Sequence, residues 1–152
     1  SDLPASGAPF TRESVSAAVA SVAASFEIVD SRPSADEDRS TLAFRLVATN
    51  VAQAGVVLGK QITDWCDLDL VSMRGTLAVN GKIVGEGLGS EVMGHPIEPL
   101  VWLANLLAER GQHLRKGQVI VTGSMITPAD IDKGDTVVFE AEGLGEARLT
   151  VA

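Results

Sequence analysis

Glu27 stands between Phe26 and Ile28 in a run, Ser25 to Asp30, whose β-branched Ile28 and Val29 mark a short strand that closes in a turn before Pro33. Strand alternation sends Phe26 and Ile28 to one face and Glu27 to the other, so its carboxylate can project into a cavity on its own side. Pattern alone favours a solvent-facing glutamate on an edge strand, because a carboxylate is rarely buried unless it is paired or bound to a metal. Asp30, Ser31 and Arg32 follow at the strand end, where loops carry function. Asp and Ser are also ordinary turn residues, and Arg32 can pair a substrate carboxylate bidentately or simply pair with Asp30. Gly123 and Ser124 lie at a second expected strand end. Glycine there permits close backbone approach and a hydroxyl can donate to an anionic ligand, with a plain turn as the competing reading. His95 precedes a proline in a turn and His113 follows a helix cap, so both read as structural or exposed rather than as acid–base groups.

The elements that must position these residues follow from period and punctuation. Thr11 caps a helix whose apolar positions Val15, Ala18, Val19 and Val22 fall at i, i+3, i+4 and i+7. Ser34 to Arg39 is acidic and polar and reads as an exposed loop. Gly55 to Gly59 encloses three apolar residues, as a buried strand would. Thr76 to Val79 and Lys82 to Val84 flank Asn80-Gly81, the pair that a two-residue type I′ hairpin demands because both central residues need positive φ. Pro96 to Arg110 reads as the longest helix, closed by a left-handed Gly111. Gln118 to Thr122, Thr136 to Ala141 and Ala147 to Val151 are β-type runs, the last two joined around Gly143-Leu144-Gly145. The sum is a mainly β (α+β) domain carrying two substantial helices, with Trp65 and Trp102 as core or interface anchors.

Composition bounds what such a domain can do. A chain of 152 residues is one domain's worth and can bury roughly 70% of the surface its unfolded form exposes. Twenty acidic residues against 12 basic ones give a formal charge of −8 with no basic cluster, which argues against a nucleic-acid partner. Cys66 is the lone cysteine, expected as a small buried hydrophobe, and a reducing, cytoplasmic setting fits it. No apolar run approaches the roughly 20 residues that span a bilayer, so no membrane partner is expected. The opening Ser1-Asp2-Leu3-Pro4 is neither a signal peptide nor, lacking Met, an obvious translation start, which fits a chain that begins in the middle of something larger.

Two stretches carry a resemblance. Glu27-Ile28-Val29-Asp30-Ser31-Arg32 and the run from Gly81 to Gly145 look like signatures of the 2-keto-4-pentenoate hydratase family, within the wider fumarylacetoacetate hydrolase superfamily. In the longer run, Val92-Met93-Gly94-His95-Pro96 leading into Trp102-Leu103-Ala104-Asn105 resembles the family's Gly-x-Pro turn and following helix. Thr122-Gly123-Ser124 resembles its strand-end Thr-Gly-Ser, and Lys133-Gly134-Asp135 with Gly143-Leu144-Gly145 its closing strands. The ordered set covers nearly the whole chain from about Leu3 onward.

The resemblance implies a mixed-sheet, β-rich roll of the superfamily's C-terminal-domain type, holding one Mg²⁺ or Mn²⁺ through three carboxylates. One of these matches Glu27. The other two form a Glu-x-Glu pair that the family places on a strand just before the segment resembling Ser1 to Leu3, so the resemblance implies that residues 1–152 are a single catalytic-type domain lacking an N-terminal portion of the full enzyme. Asn50 matches the retained residue of a family Ala-Asp-Asn-Ala-Ser-Ser segment, read here as Ala48-Thr49-Asn50-Val51-Ala52-Gln53. Asp67 and Asp69 repeat the i, i+2 spacing of a strand face, but the resemblance gives them no ligand role and a solvated segment is expected.

The implied activity is a lyase that adds water to a 2-hydroxy-2,4-dienoate in the catabolism of aromatic-ring meta-cleavage products. Glu27 is the expected metal ligand, Asp30 the catalytic residue that orients water or relays a proton, and Arg32, Asn50, Gly123 and Ser124 the substrate-binding residues. The ion would act as a Lewis acid on a chelated 2-oxo acid. The same chelate can lose a carboxylate, so a 4-oxalocrotonate-type decarboxylase is the alternative. The altered Asn50 segment also fits a non-catalytic remnant. The partners expected are a small 2-oxo acid and further copies of the chain.

Overall fold

In the computed structural model, which describes residues 1–30 and 39–152, six strands and three α-helices are laid out in the order that the periodicities predict, with one helix added and one expected strand absent. The strands are β1 (Ser25–Val29), β2 (Gln53–Leu58), β3 (Arg74–Val79), β4 (Lys82–Leu88), β5 (Thr136–Ala141) and β6 (Gly145–Thr150). The helices are α1 (Arg12–Ala18), α2 (Arg39–Ala48) and α3 (Glu98–Glu109). Four strands form one sheet in the order β4-β3-β5-β6, and β1 with β2 forms a separate two-stranded sheet. All of these pairings are antiparallel. No helix among the described residues is long and apolar enough to cross a membrane.

The hairpin of β3 and β4 turns on Asn80 at φ 51° and Gly81 at φ 77°, the positive values that a type I′ turn requires. Asn80 also ties the hairpin to β5. Its Nδ2 donates to Asp135 Oδ1 at 2.7 Å and its Oδ1 accepts the Thr136 N–H at 3.0 Å. A second tight connection, Glu142 to Leu144, joins β5 to β6 as the Gly143-Leu144-Gly145 signal predicts.

α1 opens with a reciprocal capping box in which Thr11 and Ser14 satisfy each other's backbone N–H groups. Val15 is its fully buried residue, packed in a core with Phe10, Trp65, Leu70, Ile97 and Leu100. The helix is shorter than its apolar stripe suggests. It ends at Ala18, and Val22 instead bridges Ile62 through backbone hydrogen bonds. α3 is held to the chain before α1 by Asn105, whose amide both accepts the Phe10 N–H at 2.7 Å and donates to the Phe10 carbonyl at 3.0 Å.

Several expectations need correction. α3 begins at Glu98 with Pro99 in its first turn, two residues beyond Pro96, and the expected Gly111 cap is present at φ 68°. Gln118 to Thr122 is not a strand. The interior strands β3 and β5 each have both neighbours already, and the run has no ladder partner among the described residues. β2 is a strand but not a buried one, because Ala54, Val56 and Leu58 face outward. Cys66 is exposed in a turn, and Trp102 is exposed on α3 while Trp65 is in the core. Asp67 and Asp69, by contrast, are exposed and outside any strand, as the expected solvated segment requires, and Asp69 Oδ1 accepts the N–H groups of Ser72 and Val71, which lowers its pKa. α2 has no precedent in the sequence reading. The expected acidic loop Ser34 to Arg39 falls, apart from its last residue, outside the described residues.

Replacing Gly81 by valine forces a β-branched side chain into positive φ, so the fold should lose about 1–3 kcal/mol. Chemical denaturation of Gly81→Val against the parent chain checks this, with an unchanged midpoint as the contrary result.

Candidate functional site

Glu27 is on the open face of the two-stranded sheet. It lies directly opposite Val56, flanked by the pairs Ser25 with Leu58 and Val29 with Gln53. Phe26 and Ile28 point the other way, half-buried with Val57 and Gly55, as alternation requires. The carboxylate therefore emerges through an apolar surface in which Val29 is 58% exposed and Val56 and Leu58 are 37% and 42% exposed. β1 and β2 rest against β6.

Asp30 follows β1 and its N–H donates to the Ala52 carbonyl at 2.9 Å. This bond ties the strand end to an unusual turn in which Asn50, Val51 and Ala52 are all left-handed, at φ 51°, 58° and 61°. A β-branched residue such as Val51 rarely adopts that conformation, and it persists only where surrounding bonds over-determine it. Here they do. The Val51 N–H donates to Leu46 O at 2.6 Å, and the Ala52 N–H donates to both the carbonyl and the hydroxyl of Thr49. Thr49 in turn donates its hydroxyl to Arg45 O at 2.8 Å. Glu27, Asp30 and Asn50 are thus carried on one unit, while Ser31 and Arg32 lie outside the described residues.

Gly123 and Ser124 are positioned by a different device. The backbone at Met125 and the side chain of Ile126 cross β4 so closely that a Cβ at Gly87 would overlap the Met125 carbonyl and one at Gly85 would overlap Ile126. At Gly75, on β3, a Cβ would come within 3.1 Å of the Met125 methyl. Gly123 takes φ 127°, open only to glycine, and the Ser124 hydroxyl is engaged locally, donating to the Ile126 carbonyl and accepting its N–H at 3.2 Å. This pair therefore sits over β3 and β4, whereas the Glu27 unit rests on β6, at the other edge of the four-stranded sheet. The i, i+2 spacing of Gly85 and Gly87 within a strand was the available signal for this crossing, and the sequence reading passed over it.

The histidines bear out their structural reading. His113 is exposed, and His95 Nδ1 accepts the Ile97 N–H at 3.1 Å just ahead of α3. Partial burial and, next, the Arg12 guanidinium hold the His95 imidazole below its ordinary value, against the pull of Glu98 and Asp69. A shallow depression of about 270 Å³ lies between Leu68, Asp69, Ser72, Met73, Glu142 and Gly143, away from the expected site residues.

No group of three or more His, Cys, Asp or Glu side chains that could hold a metal ion occurs among the described residues. A magnesium-type cation keeps an octahedral oxygen shell and yields its waters reluctantly. The single exposed Glu27 does not fit that need by itself.

With this geometry in place, comparison with known proteins identifies the family. The profile described as fumarylacetoacetate (FAA) hydrolase C-terminal matches residues 4–152, and the chain belongs to that family. It is 41% identical over 143 residues to a 2-hydroxyhexa-2,4-dienoate hydratase of Comamonas testosteroni, a match covering 94% of this chain and 53% of the relative. A 4-oxalocrotonate decarboxylase of Pseudomonas putida is 34% identical over 131 residues, covering 86% of this chain and 48% of the relative. Among solved structures, 4-oxalocrotonate decarboxylase from Pseudomonas putida G7 complexed with magnesium and adipate superimposes with a TM-score of 0.80 at 30% identity, over 93% of this chain and 52% of that one. The same enzyme complexed with calcium and acetate gives 0.79. The chain thus spans about half the length of the relatives it matches.

The lowered His95 pKa sets a pH dependence. A histidine whose folded value lies below its unfolded one contributes stability that is present above about pH 6.5 and is lost as the pH falls through the folded value. Melting temperatures should therefore drop as the pH is lowered from 7.5 towards 5, and the drop should be smaller in His95→Asn. Equal slopes in the two proteins would be the contrary result.

Proposed function

We propose that this chain supplies part of the active site of a metal-dependent lyase that adds water to a 2-hydroxy-2,4-dienoate, a step in the catabolism of aromatic-ring meta-cleavage products. The observation that carries this reading is the 41% identity to the Comamonas hydratase across 143 residues, which include β1 with Asp30 and the Thr122-Gly123-Ser124 motif. In this reading Glu27 provides one oxygen ligand to a Mg²⁺ or Mn²⁺ ion, the class of ion named in the Pseudomonas complexes. The remaining ligands come from outside the described residues. Asp30, fixed to the left-handed turn by its backbone, is the group that moves a proton or orients water at the strand end. Arg32 and Asn50 recognise the polar groups of a small 2-oxo acid. Gly123 admits a ligand close to the backbone, and the Ser124 hydroxyl can turn from its local partner to an anionic one. The same reading places the enzyme in the cytoplasm as a homo-oligomer.

Decarboxylation of 4-oxalocrotonate is the second reading, favoured by the superposition at a TM-score of 0.80. Both reactions pass through an enolate of a 2-oxo acid, so substrate rather than scaffold distinguishes them.

The test is a chimera in which the part of the Comamonas hydratase that this chain does not match is joined, in its own order, to these 152 residues. With millimolar Mg²⁺ or Mn²⁺, it should consume 2-hydroxyhexa-2,4-dienoate, followed by loss of the conjugated chromophore, whereas the 152-residue chain alone should not. Glu27→Gln in the chimera should lower turnover about 100-fold or more. Preferential turnover of 4-oxalocrotonate would select the decarboxylase. Equal turnover by the short chain would contradict the proposed division of ligands, and an inactive chimera with intact fold would favour a non-catalytic domain.

A further inference from the structure

The open face of the β1–β2 sheet is an unfinished interface. Two strands by themselves are marginal in water, and each of these pairs only with the other among the described residues. Their outer face presents Val29, Val56 and Leu58 around Glu27. On helix α2, which runs into β2 through the left-handed turn, Phe44 and Val47 are 78% and 83% exposed, and Val51 within that turn is 66% exposed. Phe44 and Val47 lie one turn apart on the helix, with nothing among the described residues covering them.

The surface area agrees. The chain exposes 9907 Å², whereas a compact monomer of 15.8 kDa exposes about 7,300 Å². The excess is about 2,600 Å², more than the roughly 800 Å² that one partner contributes to a standard interface and comparable with one side of a large obligate one. Among the described residues Val15 is the only large side chain that is fully buried, so they are short of core as well as long on surface.

We infer that the outer face of β1–β2 is a docking surface for polypeptide corresponding to the half of the relatives that this chain does not match. A second copy is the poorer occupant, since each copy carries a net charge of −8 and a face-to-face pair would set the two Glu27 carboxylates in one apolar interface. The unmatched half of the relatives, by contrast, is about as long as this chain, enough to cover an area of that size. The occupant needs apolar side chains for Val29, Val56 and Leu58, main-chain groups for a free strand edge, and a partner for the carboxylate that docking would enclose. This extends the function proposed above by naming where the rest of the site arrives, and it rests on that reading only for the identity of the occupant.

The test uses the 152-residue chain and the chimera described above, without substrate or metal. Amide hydrogen exchange in Ser25–Val29 and Gln53–Leu58 should slow by about 10-fold or more in the chimera relative to the chain alone. The double variant Val56→Thr with Leu58→Thr keeps strand propensity but removes apolar surface. It should leave the melting temperature of the short chain within about 1 °C and lower that of the chimera by about 4 °C or more. Unchanged exchange in the chimera would overturn the inference. So would an equal loss of melting temperature in the short chain, which would mean that the face is already covered. A short chain that is dimeric by light scattering with protected β1 and β2 would assign the face to a second copy and overturn the inference too. Because neither readout involves turnover, a protected but inactive chimera would refute the proposed function alone, and an active but unprotected one would refute the docking surface alone.

Discussion

The placement of Glu27 depends on one backbone contact, at Gly59. Immediately after β2, the Gly59 N–H donates to the Ala24 carbonyl at 2.8 Å, just ahead of β1, while its α-carbon lies against the Glu146 carbonyl of β6. A Cβ there would overlap that carbonyl oxygen and come within 3.1 Å of the Ala24 oxygen. Neither obstacle is a side chain that could rotate away. Three strands meet at a point that only glycine can occupy, and the small sheet is thereby fixed to the edge of the large one. Gly87 does the same against the Met125 carbonyl for the segment that bears Gly123 and Ser124, while Gly85 and Gly75 make room for the side chains of Ile126, Phe139 and Met125. The two groups of expected site residues are therefore held by close packing against glycine at opposite ends of the strand order β4-β3-β5-β6.

Much of the larger sheet was legible because its signals are local. Asn80-Gly81 specifies its turn through the φ angles it permits, and Gly143 to Gly145 does so for the next hairpin. Thr11 and Gly111 mark helix ends through capping groups that need no distant partner. What failed depended on neighbours. Gln118 to Thr122 has the composition of a strand, but pairing is settled by vacancies elsewhere in the sheet. Gly55 to Gly59 is apolar enough to be buried, and it is exposed because nothing among the described residues covers its outer face. At Cys66 tertiary position overrides the average burial of its residue type.

The site was legible to a similar degree. Alternation fixed which way Glu27 points relative to Phe26 and Ile28, and the strand was in the right place. The three left-handed residues Asn50 to Ala52 were not foreseeable, since Val51 and Ala52 have no intrinsic taste for that region and are held there by bonds from Leu46 and Thr49. Thr49, which stands where the resembling segment has Asp, acts here through its hydroxyl as a clamp on the turn. The Ser124 hydroxyl, free to point anywhere in a linear reading, is in fact committed to Ile126.

The resulting picture is a scaffold that presents one carboxylate on an open, apolar face and contains no group of three or more ligating side chains among its described residues. That claim is most directly checked by calorimetric titration of the 152-residue chain with Mn²⁺, beside its Glu27→Gln variant. Binding no tighter than about millimolar, and alike in the two proteins, is the predicted result, because one exposed carboxylate competes poorly with water for the ion. One-to-one micromolar binding that disappears in Glu27→Gln would contradict it, and would place a complete metal site within these residues.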